Sequence, residues 1–125
     1  MQSQFGLGKI GQVPVSVTDI DRSIKFYRDT LGIKFLSQAG TLAFLDCDGV
    51  RLMLGIPEKP EFKSHSLLYF SVPDIQAGYK ALTERGVKFE DKPHVVHRTD
   101  AYELWMAFLK DPDGNHLALM SEVRK

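Results

Sequence analysis

The sequence predicts an α+β fold made of two βαβββ modules, and three observations predict it: an internal repeat, an amphipathic helix in each copy, and strand-like runs joined by matching turn sequences. The repeat comes first, because ordered self-similarity fixes an architecture before any single element is assigned. "SVTDI" (Ser16–Ile20) returns as "SVPDI" (Ser71–Ile75), and Gly32-Ile33-Lys34-Phe35 returns as Gly86-Val87-Lys88-Phe89. Farther along, "LAFLDCDGVRLML" (Leu42–Leu54) is echoed in the same order by "MAFLKDPDGNHLAL" (Met106–Leu119), which pairs Gly49 with Gly114 and Met53 with Ala118.

Each copy reads the same way. "QVPVSV" and "LLYFSV" are apolar runs of strand length. Asp19 and Asp74 then stand where an N-cap belongs, ahead of apolar stripes Ile20, Ile24, Tyr27, Leu31 and Ile75, Tyr79, Leu82. Gly32 and Gly86 fall where a left-handed glycine ends a helix. Three strand-like pieces follow, the last two joined by "DCDG" in one copy and "KDPDGN" in the other, residues suited to tight hairpin turns. The modules span 9–56 and 65–123 within one domain, 1–125, and the two prolines of "GIPEKPEFKS" mark the linker. A module of this size buries only about 60% of its unfolded surface. Pairing two of them, within the chain or across a dimer, covers the faces and edges that each leaves open.

Composition narrows the function classes. The chain is 43% hydrophobic and 26% charged with a formal net charge of +0, so a full core is available and neither nucleic acid nor an anionic membrane has an electrostatic handle. A single cysteine, Cys47, excludes an intrachain disulfide and a cysteine-cluster zinc site and fits a reducing compartment. The opening "MQSQFGLGKI" has no signal-peptide pattern, and no apolar run is long enough to span a membrane. The expected location is the cytoplasm.

Strand alternation separates two faces. Val13, Val15, Val17, Val50, Leu52, Leu54, Leu68, Phe70, Val72, Leu117 and Leu119 form an aliphatic and aromatic set suited to lie under helices. The other face carries Gln12, Pro14, Arg51, Met53, His65, Leu67, Tyr69, His116, Ala118 and Met120. Its apolar surface with a few polar tips is the composition of a concave ligand site.

The chain resembles the vicinal oxygen chelate superfamily (glyoxalases, bleomycin-resistance proteins, extradiol dioxygenases), on "VSVTDIDRSIKFYRDTLGIKF" near the start and "FLKDPDGNHLALM" near the end. The resemblance implies curved mixed sheets around a cleft, the glyoxalase/bleomycin-resistance fold, and a homodimer that in some relatives exchanges modules. It also implies a divalent metal held by the first and last strand of each module, commonly by His or Glu. The matching places here are Gln12, Met53, Leu67 and Ala118, and the repeat supports that register independently by pairing Gln12 with Leu67 and Met53 with Ala118. Leu and Ala have no donor, a thioether suits soft copper(I), and one glutamine cannot hold a hard ion. The expectation is therefore no metal cofactor.

The leading reading is a metal-free binder that sequesters a small apolar or aromatic molecule through Gln12, Arg51, Met53, His65, Leu67, Tyr69, His116, Ala118 and, as a stacking wall, Trp105. Trp105 also fits the core. Arg51 and His116 occupy equivalent repeat positions and suit an anionic group on a ligand. The alternative is a lyase, isomerase or dioxygenase of the same superfamily using one divalent ion at a displaced site of Gln12, His65 and His116. A third reading makes the mixed face a subunit interface. His94 and His97 in "PHVVHRTD" read as loop or edge-strand residues because Pro93 breaks a helix there, and Asp111 and Asp113 read as turn formers.

Overall fold

The computed structural model describes residues 5–59 and 67–125. The first module runs β1 (Gln12–Ser16), α1 (Ile20–Ile24), β2 (Lys34–Ala39), β3 (Leu42–Cys47) and β4 (Val50–Gly55). The second runs β5 (Leu68–Ser71), α2 (Ile75–Glu84), β6 (His94–Arg98), β7 (Tyr102–Lys110) and β8 (His116–Arg124). Each module forms one four-stranded mixed sheet, in orders β1-β4-β3-β2 and β5-β8-β7-β6. The first and last strands of a module pair in parallel, and the other pairs are antiparallel. Parallel neighbours need a crossover, which the helix and the intervening hairpin supply. The predicted βαβββ repeat is thus present twice with the same strand order. No helix among the described residues is long and apolar enough to cross a membrane.

Both N-caps form as expected: the Asp19 carboxylate accepts from the Arg22 N–H at 3.1 Å, and that of Asp74 from the N–H groups of Gln76 and Ala77. Gly32 and Gly86 take φ of +78° and +93°, the left-handed conformation their places at the helix ends require. The first helix departs from the expected regular one. After Ile24 it widens into a π-helical turn over Lys25–Thr30, closed by the Leu31 N–H donating to the Phe26 carbonyl at 2.9 Å. In this wider turn Tyr27 is fully buried, 0% exposed.

Most of the helix-facing set predicted from alternation enters the core. Val15, Val17, Leu52, Leu54, Leu117 and Leu119 are buried with Leu45 of β3 and with Ile24, Ile75 and Leu82 from the helices. Val13, Leu68, Phe70 and Val72 pack against them half-buried, and Val50, at the turn into β4, stays outside the cluster. Trp105 packs against this cluster too.

The β7–β8 turn, read from the sequence as a tight turn, also joins the modules. Asp111, 5% exposed, accepts from the Tyr27 hydroxyl at 2.7 Å, from the backbone N–H groups of Asp113 and Asn115, and from Asn115 Nδ2 at 2.8 Å. Asn115 Nδ2 also donates to the Ser16 carbonyl at 2.8 Å. Asp113 accepts from the Thr18 N–H and hydroxyl, from Ser23 Oγ, and from Arg22 Nη2 at 3.1 Å. A second tie runs from Arg85 Nη1 to the Thr30 carbonyl at 2.9 Å. The turn of module two is therefore seated at the start of α1 in module one. Burial, reinforced by the Asp111 carboxylate beside it, pushes the Tyr27 phenol well above its ordinary range and keeps it a hydrogen-bond donor.

Candidate functional site

On the helix-free face of the first sheet, four side chains form one assembly. Gln12 stands beside Arg51 in the parallel β1–β4 ladder, and Phe44 of β3 stands opposite Met53 of β4. Arg51 Nε donates to Gln12 Oε1 at 2.8 Å, and Gln12 Nε2 donates to the Met53 sulfur at 3.5 Å. The Arg51 guanidinium lies over the Phe44 ring, 5.2 Å from its centroid, a cation–π contact. Both ends of the Gln12 amide are thus engaged by neighbours on its own face.

The second sheet repeats the pattern with different chemistry. Residues directly opposite across an antiparallel ladder share a face, so Ala118 shares its face with Phe108, and Met106 with Met120. Tyr69 stands beside Ala118 in the parallel ladder and is 49% exposed. Ala118 is 0% exposed yet lies outside the core under the helices, sealed by its neighbours on the open face. The sequence pairs Phe44 with Phe108 through the shared "AFL" triplet, and the structure places both in equivalent registers, opposite Met53 and Ala118. That triplet was the available signal for two open-face aromatics that reasoning from the sequence left out.

The edge strand β6 brings a further change. His94 pairs with Met106 and His97 with Leu104, with Val96 as the extra residue of a bulge between them. The bulge restores the face after three residues, so both imidazoles join the open side. His94 Nδ1 lies 2.8 Å from the Lys92 carbonyl, and its ring is 6.4 Å from that of Phe108. His116, offered as an anion contact, instead has Glu90 at 3.6 Å, and the same carboxylate reaches Lys110 at 3.8 Å. Trp105 takes the core place that the sequence offered beside the stacking role: it lies on the face of β7 opposite Phe108, packs on the core, and donates Nε1–H to Glu103 at 3.3 Å. His65 lies outside the described residues.

A cavity of about 730 Å³ lies between the β3–β4 turn and the start of β4 in module one and strand β5 in module two, so that both modules contribute walls. Arg51, Lys34, Asp46 and Cys47 line it from module one, and Tyr69 and Phe70 from module two. Burial, then the nearby Asp46, pushes the Cys47 thiol up, so it meets the cavity as a neutral, weakly nucleophilic group.

The metal-bearing places of the resembling family do not fit a divalent ion here. The Gln12 oxygen is taken by Arg51, Met53 offers a thioether already in contact with Gln12, Leu67 offers no donor, and Ala118 is a sealed methyl. Among the described residues, no three His, Cys, Asp or Glu side chains converge into a cation site.

Comparison with known proteins agrees with this architecture. Residues 9–119 match the family model of the Glyoxalase/Bleomycin resistance protein/Dioxygenase superfamily. The uncharacterized protein YraH of Bacillus subtilis (strain 168) is 33% identical over 122 residues, covering 86% of this chain and 93% of its own. The metallothiol transferase FosB of Staphylococcus haemolyticus is 28% identical over 116 residues, covering 88% of this chain and 81% of its own. Among solved structures, TnmS3, an antibiotic binding protein from Streptomyces sp. CB03234, aligns with a TM-score of 0.76 at 25% identity, covering 95% of this chain and 99% of its own. The doubled module, its strand order and the family match over nearly the whole length place this chain in the Glyoxalase/Bleomycin resistance protein/Dioxygenase superfamily.

Proposed function

We propose that this protein captures a small planar, apolar or aromatic molecule without a metal ion, working in the cytoplasm. The observation that carries the reading is the chemistry of the open faces. Places that hold metal ligands in the resembling family carry Gln, Met, Leu and Ala, flanked by Phe44, Phe108, Tyr69 and Met120. Such a surface binds by area and stacking and supplies no Lewis acid or poised base. The neighbouring cavity of about 730 Å³, which Arg51 and Tyr69 line and Phe44, Phe108 and Met120 do not, is within the range of ~300–1,000 Å³ usual for small-molecule sites. The similarity to an antibiotic binding protein supports the same reading. The contacts of Gln12 with Arg51 and of His116 with Glu90 favour this reading over the metal-dependent alternative.

A second copy of the chain is the natural cover for the helix-free faces of the sheets, where Tyr69 is exposed, and for the edge strands β2 and β6, where Leu36 and Val96 are exposed. The reading therefore includes a homodimer, with a light-scattering mass near twice 14.1 kDa; a monomer mass at working concentration would remove the dimer and leave capture standing. Capture itself is tested by a thermal-shift screen of uncharged planar compounds. At least one is expected to raise the melting temperature saturably, and Phe108→Ala to abolish that rise while the unliganded protein still melts cooperatively. A library with no stabilising member, or stabilisation indifferent to Phe108→Ala, would sink the reading.

A further inference from the structure

We infer that the captured molecule carries a single compact anionic group, a carboxylate, sulfonate or enolate, and that the outer edge of Arg51 reads it. The inference rests on the capture reading and adds the chemical class of the ligand. Three features of Arg51 carry it. Its Nε is spent on Gln12 Oε1 at 2.8 Å, which fixes the plane of the guanidinium. The Phe44 ring, 5.2 Å away, supports one of its faces. The two terminal Nη groups form no hydrogen bond or ion pair among the described residues, and the residue lines the cavity that Tyr69 closes from the other module. A guanidinium has five N–H donors in a rigid fork, so this mount leaves its terminal edge for a planar anion, the bidentate geometry that carboxylates and sulfonates match.

Gln12 is a positioning residue in this scheme. Its Nε2 donates to the Met53 sulfur, which settles the amide orientation with the oxygen toward Arg51. The carboxylates near Arg51 do not neutralise it directly. Asp46, its cross-strand neighbour, accepts from the Gly49 N–H at 2.8 Å and forms no ion pair with Arg51, and Asp48 stands in the same wall. Lys34 and Arg51 against Asp46 and Asp48 leave the wall without net charge. A polyanion such as a nucleoside triphosphate gains no long-range attraction there, whereas one anionic group placed on the fork gains a local, charge-assisted pair. His116, the repeat partner of Arg51, does not share the role, because Glu90 stands 3.6 Å from it.

The test uses two dyes that share an anilinonaphthalene body and differ in charge: 8-anilinonaphthalene-1-sulfonate and neutral N-phenyl-1-naphthylamine. Both are expected to bind the full chain saturably. Arg51→Gln is expected to weaken the sulfonate dye by about 10-fold or more, the scale of one lost charge-assisted pair, and to leave the neutral dye within about 2-fold. Arg51→Lys should fall between, and Gln12→Ala should weaken the sulfonate dye alone by loosening the fork. Lys80→Gln, a charge removed from the exposed side of α2, should change neither dye. Arg51 is exposed, so a melting temperature close to that of the unaltered protein is expected to accompany each loss. Equal effects of Arg51→Gln on both dyes, or none on either, would overturn the anion assignment while leaving capture intact. Failure of both dyes to bind the unaltered protein would overturn both.

Discussion

Asp111→Ala is expected to lower the unfolding free energy by about 3–5 kcal/mol, the cost of deleting one partner from a buried charged network. The carboxylate is 5% exposed and serves the Tyr27 hydroxyl, the N–H groups of Asp113 and Asn115, and the Asn115 side chain. Alanine leaves the buried Tyr27 hydroxyl and the part-buried donors of the turn without that acceptor. It also releases Asn115, whose side chain grips the Ser16 carbonyl of module one at 2.8 Å. Asp111→Asn should cost about 1–3 kcal/mol, since its oxygen still accepts from the turn while its amide hydrogens face those of Asn115. The equivalent residue of the first copy is the control. Asp46 holds only the Gly49 N–H of its own turn at 2.8 Å, so Asp46→Ala should cost no more than about 1 kcal/mol. Urea unfolding of the three variants checks the ranking, and a loss at Asp111 no larger than that at Asp46 would deny the turn its role as a clasp.

Tyr27→Phe is expected to cost about 1–3 kcal/mol at neutral pH and to flatten the loss of stability in alkali. The folded protein holds the Tyr27 phenol far above its unfolded value of about 10. The contribution of that shift is therefore complete below pH about 10 and declines as pH rises, because only the unfolded chain ionises there. One proton corresponds to about 1.4 kcal/mol per pH unit. Other tyrosines and the lysines also titrate in this window, so the informative quantity is the difference between the unaltered protein and Tyr27→Phe. Denaturant midpoints between pH 9 and pH 11 should converge for the two proteins as pH rises; parallel curves would show that Tyr27 ionises as readily folded as unfolded.

These two residues mark where the sequence stopped being informative. Strand alternation and the repeat located both faces, because a period of two decides orientation without knowledge of partners. Val15, Leu54 and Leu117 fell inside, and Met53, Tyr69 and His116 fell on the open side. Applied to β7, the same rule already separates Trp105 from Phe108. The inter-module clasp was not legible. "DCDG" and "DPDG" are nearly the same turn, and only three-dimensional placement beside Tyr27 turns Asp111 from a turn former into a link. The side shared by His94 and His97 was hidden for a similar reason, since a bulge at Val96 is decided by how β6 meets β7 and not by its own residues. Nor did residue types disclose that Gln12, offered as a metal donor, is consumed by Arg51. Spacing names candidates for a site; the partners of each side chain decide which remain available.

The claim on which the functional account turns is that this cleft binds its ligand through apolar contact with no ion at its centre. Titration of N-phenyl-1-naphthylamine into protein stripped with EDTA, then supplemented in turn with Mn²⁺, Fe²⁺, Ni²⁺ or Zn²⁺, addresses it directly. The expected result is one saturable curve whose dissociation constant stays within about 2-fold throughout, a difference under ~0.5 kcal/mol. Binding that disappears with EDTA and returns with one of these ions would contradict it.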